Sequence, residues 1–198
     1  MMTSEQLIAF EESIADAFNA GQIHAPIHLD NGNEAALIEI FRDIGPSDWV
    51  CGTWRMHYKC LLKGVPPEEL RAEIMKGRSI SLCFPQYRII SSAIAGGILP
   101  IAVGIAMAMK KTEPARVNVF VGDMMAESGA FHECVKYAAN HMLNMRFIIE
   151  DNGLSVCTPT EAVWGRTMPA MSDGAVMISR YRYQSKYPHA GAGKRIQF

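Results

Sequence analysis

The strongest constraint on the fold comes from two short apolar runs in the middle of the chain, with a helical segment between them. Residues 117–121 and 146–150 are rich in β-branched and aromatic side chains, so each run predicts a buried strand. Apolar residues recur at helical spacing across residues 127–142. Because such strand–helix–strand units are nearly always right-handed crossovers between parallel strands, the sequence predicts an α/β fold.

Polar residues follow both predicted strands. Asp123 comes after the first strand and Asn152 after the second. The carboxyl ends of parallel strands share one edge of the sheet, where ligands bind, so we expect both side chains at that edge. Carboxylate and amide oxygens suit Mg²⁺ or Ca²⁺, and Mg²⁺ usually adds phosphate and water as further ligands. The pattern predicts a magnesium site that also holds a phosphate; ordinary turn residues are the alternative interpretation.

Two short motifs at this edge resemble the diphosphate-binding signature of thiamine diphosphate enzymes. Gly122-Asp123 and Asp151-Asn152 stand at that family's separation. The surrounding residues look most like the alpha subunit of 2-oxo-acid dehydrogenases, and the matching segments are 126–129, 131–133, 138–139 and 158–159. The resemblance implies the thiamine diphosphate-binding fold, a three-layer sandwich with a mostly parallel central sheet flanked by helices.

The same resemblance assigns ligands at this edge. It implies that Asp123, Asn152 and the backbone carbonyl of Leu154 bind Mg²⁺, and that Gly122 and Met124 contact the diphosphate of the cofactor. Met124 departs from the family, which has a third glycine there so that the backbone can approach the diphosphate closely. The Met124 N–H can still reach a phosphate if its side chain points away, so this position bears directly on cofactor affinity.

An aromatic residue, an arginine and a histidine cluster upstream, at Trp54, Arg55 and His57. Arginine suits phosphate because its planar fork donates two hydrogen bonds, although such a cluster alone is more often a surface loop. In the resembled family an aromatic–arginine pair at this place holds the diphosphate, and the Trp54 indole N–H can donate. His57 stands where several relatives have a histidine near the reacting centre, so we expect it to donate or accept a proton in catalysis.

A loop rich in small residues leads into an apolar helical segment at residues 101–110, which alone predicts a tightly packed core helix. The resemblance implies that Ala93 and Ala95 contact the aminopyrimidine ring of the cofactor through backbone groups, and that the helix contributes to a subunit interface. The preceding residues 77–92 are predicted as a loop where the resemblance weakens. Loops carry specificity, so the substrate can differ from pyruvate and branched-chain oxo acids.

The N-terminal part of the chain predicts packing helices. Thr3 and Gln6 form a candidate capping box for a helix over residues 3–20. Asn33 is the predicted cap of a second helix. Residues 58–76 predict two helices that are separated at Gly64.

Length and composition narrow the class of protein. The 198 residues suffice for a single diphosphate-binding domain, with residues 1–30 as an N-terminal helical extension and 161–198 as a C-terminal arm. A net charge of -1 argues against nucleic acid or an anionic membrane as a partner. The five cysteines form no C-x-x-C pair, and the N-terminus lacks the pattern of a signal peptide, so we expect a cytoplasmic protein.

The C-terminal arm is basic, aromatic and rich in glycine, and it is predicted to pack on a partner. Alpha subunits of the resembled family continue further and include a histidine-bearing loop that closes over the diphosphate. One hypothesis is that His189 or Lys194 replaces that loop as a phosphate ligand.

The resemblance implies an alpha-type subunit that binds thiamine diphosphate and Mg²⁺ and acts on a 2-oxo acid. The family's activating glutamate lies on a pyrimidine-binding, beta-type subunit, so we expect an α₂β₂ assembly in which this chain does not catalyse alone. Two alternatives stay open. One is a split transketolase-like enzyme that transfers a ketol unit from a ketose, and the other is a non-catalytic scaffold, suggested by Met124.

Overall fold

The structure is a computed structural model, and it describes residues 2–165, 176–189 and 196–198. The helices are α1 (Ser4–Asn19), α2 (Glu34–Phe41), α3 (His57–Leu62), α4 (Pro67–Met75), α5 (Ile98–Met109), α6 (Asp123–Ala126), α7 (Gly129–Asn140) and α8 (Thr160–Trp164). The strands are β1 (Trp49–Gly52), β2 (Cys83–Phe84), β3 (Ile89–Ser91), β4 (Val117–Gly122), β5 (Met145–Asp151), β6 (Leu154–Ser155), β7 (Thr158–Pro159) and β8 (Val176–Arg182).

A mostly parallel sheet forms the centre of the described structure. Its order is β2-β3-β1-β4-β5-β8, and β2 is antiparallel to β3 while the other neighbours run parallel. Strands β6 and β7 form a separate antiparallel pair beyond the end of β5. The predicted crossover is present as β4, α7 and β5, with the short helix α6 where the sequence predicted a turn.

Strand residues alternate between the two faces of the sheet and so define two apolar cores. Phe120 and Ile148 belong to the core that packs against α1 to α4, while Val119, Val121 and Phe147 belong to the core that packs against α5 and α7. Helices therefore cover both faces. The predicted three-layer α/β sandwich is confirmed, and within the described residues no helix has the length and apolar character needed to cross a membrane.

The N-terminal helix begins as its sequence predicts. The hydroxyl of Thr3 accepts from the backbone N–H of Gln6, and the Gln6 side chain accepts from the Thr3 N–H. These two bonds satisfy donors that a helix start otherwise leaves unpaired. Asn33 occupies the cap position of α2 but makes no capping hydrogen bond through its side chain. Its amide nitrogen donates to the hydroxyl of Tyr181, and its amide oxygen has no partner in the described structure.

The structure corrects two expectations about segments outside the central crossover. Residues 77–92 are not only a loop, because they contain β2 and β3, and β3 pairs with β1 beside β4. Residues 176–182 of the predicted arm form β8, which pairs along the whole of β5. Both segments therefore contribute strands to the sheet, although the sequence predicted them to lie outside it.

Candidate cofactor site

Asp123 lies at the carboxyl end of β4 and is buried, with 1% of its surface exposed. One of its carboxylate oxygens, Oδ2, accepts a hydrogen bond from the Thr160 hydroxyl. The other, Oδ1, has no hydrogen-bond partner in the described structure. Burial raises the pKa of the Asp123 carboxyl. A buried acceptor without a partner is costly, and a bound cation would satisfy it.

The Asp151–Leu154 turn brings the other predicted metal ligands to the same edge of the sheet. Asp151 accepts from the N–H of Gly153 at 3.1 Å and from Arg182 Nε at 3.2 Å, so both of its carboxylate oxygens are occupied. Asn152 Oδ1 accepts from the Leu154 N–H at 3.1 Å. Asn152 and Leu154 both line a cavity beside Asp123. The predicted meeting of Asp123 and Asn152 on one edge is confirmed, whereas their role as metal ligands stays a prediction.

This cavity opens at the carboxyl ends of β1, β4 and β5. Ligands of parallel α/β sheets bind at this edge. It is lined by Thr53, Trp54, Arg55, Ala95, Gly122, Met124, Met125, Glu150, Asn152, Leu154, Ser155, Val156, Tyr183 and His189. Among the described residues, no cluster of three or more His, Cys, Asp or Glu side chains is placed to hold a metal. A cation here would therefore need amide and carbonyl oxygens as well as Asp123, a set that suits Mg²⁺.

Gly122 and Met124 line the cavity on either side of Asp123. Gly122 has an ordinary φ of -72°, and a Cβ added there would meet no atom within 4 Å. Neither the backbone conformation nor the protein packing therefore requires a glycine at this position. The open space next to Gly122 is space that a ligand could use. The Met124 side chain, in contrast, occupies part of the lining where the resembled family has glycine.

Trp54 and Arg55 face this rim from the loop after β1, as predicted. His189, one of the two phosphate-ligand candidates, also lines the cavity. Its Nδ1 lies 3.4 Å from Arg55 Nη2. Ala95 lines the cavity, but Ala93 is exposed and does not. Lys194, the other phosphate-ligand candidate, lies outside the described residues.

Residues 2–179 match the family described as the dehydrogenase E1 component. The chain belongs to this family. Its resemblance to the alpha subunits of thiamine diphosphate-dependent 2-oxo-acid dehydrogenases is thereby confirmed, and family membership implies thiamine diphosphate as cofactor.

Three curated relatives illustrate the range within the dehydrogenase E1 family. The acetoin:2,6-dichlorophenolindophenol oxidoreductase alpha subunits of Bacillus subtilis and Cupriavidus necator are 29% and 31% identical to this chain, over 79% and 75% of its length. The pyruvate dehydrogenase E1 alpha subunit of Porphyra purpurea is 30% identical over 72% of the chain. The matches cover 50%, 48% and 47% of these relatives, so the chain spans about half of their length.

The residues of this dehydrogenase E1 chain fit the cofactor that the family implies. Asp123 Oδ1 offers a buried acceptor for a cation. Gly122 leaves room for a group close to the backbone, and Arg55 supplies a cation with several N–H donors on the same cavity. Met124 also lines the cavity, at the position where the resembled family has glycine.

His57 does not line the cavity, which corrects the expectation that it takes part in catalysis. Its side chain is fully buried: Nδ1 lies 2.9 Å from Glu11 Oε2, and Nε2 lies 2.9 Å from Ser79 Oγ. Burial disfavours a charged imidazole, but the Glu11 carboxylate outweighs it and raises the pKa of His57. Both nitrogens are engaged inside the protein. The geometry assigns His57 to a buried pair that joins α3 to α1.

A second buried charge cluster, which the sequence did not predict, reaches the cavity. Lys59 Nζ lies 2.9 Å from Asp30 Oδ1 and 2.8 Å from Glu150 Oε1, with none of the lysine side chain exposed. Although burial opposes both charges, the two carboxylates raise the pKa of Lys59, and Lys59 holds the pKa of Asp30 below its usual range. Glu150 also accepts from the Tyr181 hydroxyl at 2.5 Å and lines the cavity. The only sequence signal is a lysine inside an otherwise apolar helix face.

Proposed function

We propose that this chain is the alpha-type, diphosphate- and magnesium-binding subunit of a two-chain thiamine diphosphate enzyme that acts on a 2-oxo acid. The observation that carries the proposal is the buried, unpartnered Asp123 Oδ1. Its neighbours Gly122 and Met124 line a cavity that also presents Asn152 and Arg55. A carboxylate oxygen that lacks a partner, next to a cavity lined by an arginine, suits a cation and an anion bound together.

The residues divide between the two parts of this ligand. Asp123, Asn152 and the Leu154 carbonyl would hold Mg²⁺. Arg55, the Trp54 indole N–H and the backbone around Gly122 and Met124 would bind the diphosphate itself. Ala95, which lines the same cavity, would contact the aminopyrimidine through its backbone; the same role was predicted for Ala93, which faces solvent in the isolated chain.

When bound, thiamine diphosphate supplies a carbon nucleophile and an electron sink for cleaving or forming a C–C bond next to a carbonyl. This chain's own residues would bind and orient it. Arg55 would neutralise the diphosphate, and Asp123 would fix the metal through a carboxylate that Thr160 holds in place. The acid that activates the cofactor is assigned to a pyrimidine-binding, beta-type partner, which gives an α₂β₂ assembly in the proposal.

The relatives bear on the reaction, and the cysteines bear on the location. The relatives include subunits of pyruvate dehydrogenase and of an acetoin oxidoreductase, which supports a 2-oxo acid such as pyruvate, or a related ketone such as acetoin, as substrate. Family membership favours this reaction over ketol transfer from a ketose. The cytoplasm is the proposed location, supported by five cysteines that are all unpaired in the structure.

Titration calorimetry tests the proposal. Thiamine diphosphate is titrated into the chain, alone and with its coexpressed partner, in the presence and absence of Mg²⁺. We expect saturable binding that requires Mg²⁺ and that the partner strengthens. Product analysis with pyruvate and with a ketose phosphate then identifies the reaction. Absence of cofactor binding under every condition would contradict the proposal.

A non-catalytic scaffold is the second candidate, and the position of Met124 in the cavity favours it. In an active subunit, Met124→Gly should strengthen cofactor binding because it opens the lining next to Asp123. In a scaffold that binds no cofactor, the same change should leave both binding and activity at background. The titration of the Met124→Gly chain separates the two.

A further inference from the structure

A buried lysine joins the two sides of the cavity across the strand that separates them. Arg55 lies in the loop between β1 and α3, and Asn152 directly follows β5. Strand β4 lies between β1 and β5 and pairs with both of them. Because neighbouring strands lie about 4.8 Å apart, roughly 10 Å separate the ends of β1 and β5. In the described structure, the sheet therefore does not directly join the loop that carries Arg55 to the turn that carries Asn152.

The side chain of Lys59 crosses this distance. Lys59 is in the first turn of α3, the helix that begins shortly after Arg55. Its Nζ lies 5.8 Å from the ring centroid of Phe120 in β4 and 2.8 Å from Glu150 Oε1 in β5. A lysine can reach over a strand in this way because its charge stands at the end of a long, flexible stem. Glu150 is in the last turn of chain before Asn152, so the lysine ties α3 to the strand end that carries Asn152.

Further hydrogen bonds hold both ends of this contact. Asp30 Oδ1 accepts from Lys59 Nζ at 2.9 Å, and Asp30 Oδ2 accepts from the backbone N–H of Tyr58 in α3 at 3.3 Å. At the other end, the Tyr181 hydroxyl donates to Glu150 Oε1 at 2.5 Å. Asp30, Lys59 and Glu150 together form what we call the Lys59 bridge. It joins the loop before α2, the start of α3 and the end of β5.

Stability alone does not account for the Lys59 bridge. The side chains of Lys59 and Asp30 are fully buried, and that of Glu150 is 8% exposed. Removing charges from water costs free energy, so apolar residues of similar volume often stabilise a core as well as a buried ion pair does. The bridge adds a fixed geometry instead. One ammonium group can contact both carboxylates only while α3, β5 and the loop before α2 keep their relative positions.

We propose that the Lys59 bridge sets the position of the anion-binding side of the cavity relative to its metal-binding side, which makes Lys59 and Glu150 positioning residues of this site. The inference rests on the proposed function, which assigns the diphosphate to the side of Arg55 and the metal to the side of Asn152. A ligand that carries both a cation and a diphosphate binds more tightly than a cation alone only when the two sides stand at the distance that it spans. A ligand that uses one side gains nothing from the bridge.

Calorimetry on the intact chain tests the inference with three probes: Mn²⁺ alone, the manganese complex of inorganic diphosphate, and thiamine diphosphate with Mn²⁺. The dissociation constant of Mn²⁺ alone, divided by that of the manganese–diphosphate complex, gives the gain from occupying both sides. Glu150→Met removes the acceptor in β5 and leaves Lys59 paired with Asp30, while Glu150→Gln keeps an acceptor of the same reach. The matched control is Glu11→Met, because the buried Glu11 pairs with His57 of the same helix but ties α3 to α1.

We expect Glu150→Met to reduce the gain roughly 3- to 100-fold, the range that couplings between neighbouring groups span. Glu150→Gln should keep part of the gain, and Glu11→Met should match the wild type. A purely electrostatic effect of Glu150 has the opposite sign, because loss of a carboxylate beside the cavity disfavours Mn²⁺ and favours an anion, which raises the gain. An unchanged or larger gain in Glu150→Met, or an equal loss in Glu11→Met, would overturn the inference.

Arg55→Ala, made in the wild type and in Glu150→Met, shows whether the bridge acts through Arg55. The substitution should weaken binding of the manganese–diphosphate complex roughly tenfold or more in the wild type and less than about threefold in Glu150→Met. Equal losses in both chains would overturn the inference, as would a wild-type chain that binds the complex no more tightly than Mn²⁺ alone. If the wild type shows the gain with inorganic diphosphate but does not bind thiamine diphosphate, the proposed function fails while the Glu150 variants still decide the inference.

Discussion

The hydroxyl of Thr160 donates to one carboxylate oxygen of Asp123 and leaves the other as a buried acceptor without a partner in the described structure. Thr160 is the first residue of α8 and is itself buried, with 2% of its surface exposed. A hydrogen bond of this kind fixes the orientation of a metal ligand. The pair therefore joins the end of β4 to the segment that follows β7 and fixes the orientation of the Asp123 carboxylate.

Thr160→Val should weaken the Mg²⁺-dependent binding of thiamine diphosphate by roughly 10- to 100-fold, because Asp123 loses the group that orients it. The measurement is the dissociation constant at saturating Mg²⁺. Thr158→Val, at an exposed position of β7, is the matched control and should bind like the wild type. Equal affinities in the two variants would mean that Thr160 has no part in ligand binding.

Gly122→Ala separates a ligand requirement from a folding requirement. Position 122 has room for a Cβ and an ordinary φ, so the substitution should leave the free energy of unfolding unchanged or raise it by about 0.4–1 kcal/mol. The same methyl group should weaken cofactor binding at least tenfold, since it fills space beside Asp123. Gly129→Ala in α7 also meets no atom and does not line the cavity, so it controls for the loss of a glycine. A Gly122→Ala chain with wild-type affinity would contradict the cavity assignment.

Lys59→Met should destabilise the fold strongly. It leaves Asp30 and Glu150 as buried carboxylates without their cation, and breaking such a cluster typically costs about 3–5 kcal/mol. Urea denaturation gives the free energy of unfolding. Arg42→Ala breaks an exposed ion pair with Glu39 and should cost less than about 1 kcal/mol. Similar losses in the two variants would show that the Lys59 cluster contributes no more than a surface pair.

The buried pair of His57 and Glu11 should make stability depend on pH. The pKa of His57 is raised in the folded chain, because Glu11 outweighs the effect of burial, and burial raises the pKa of Glu11. The pKa of His57 and the pKa of Glu11 are therefore both higher in the folded chain than in the unfolded chain, so each shift favours folding less as pH rises. The stabilisation from ionised His57 is fully present below the ordinary histidine pKa of about 6.5 and is lost as pH rises through the raised value.

Glu11→Gln removes this dependence, because Gln cannot stabilise the charged imidazole. The free energy of unfolding of the wild type, minus that of Glu11→Gln, should be largest near pH 6 and should shrink toward pH 9. Urea denaturation across this range measures the difference. A difference that stays constant with pH would mean that His57 is neutral throughout.

Much of the central crossover could be predicted because its signals are local. The runs that form β4 and β5 are long enough to identify as buried strands, and parallel pairing then brings Asp123 and Asn152 to one edge. Strands β1 and β3 could not be predicted in the same way. They have four and three residues, too few to establish a period, and they form because neighbouring strands supply their hydrogen bonds.

The residues that were misassigned or missed depend on contacts between distant parts of the chain. His57 follows Arg55 closely in sequence, but α3 begins at His57, and its partner Glu11 lies 46 residues away. His189 lies 134 residues from Arg55. His57 and His189 were candidates for the cofactor site only because they are histidines. Only the path of the backbone decides that His57 turns into the core while His189 reaches the cavity.

The central claim is that Asp123 belongs to a metal–diphosphate site, and Mn²⁺ titration followed by electron paramagnetic resonance tests it most directly. Mn²⁺ replaces Mg²⁺ among oxygen ligands, and its signal distinguishes bound from free ion. We predict that the wild-type chain binds a single Mn²⁺ in the presence of thiamine diphosphate, and that Asp123→Asn loses this binding while it remains folded. Equal Mn²⁺ binding by the wild type and Asp123→Asn, or binding that is indifferent to thiamine diphosphate, would contradict the account.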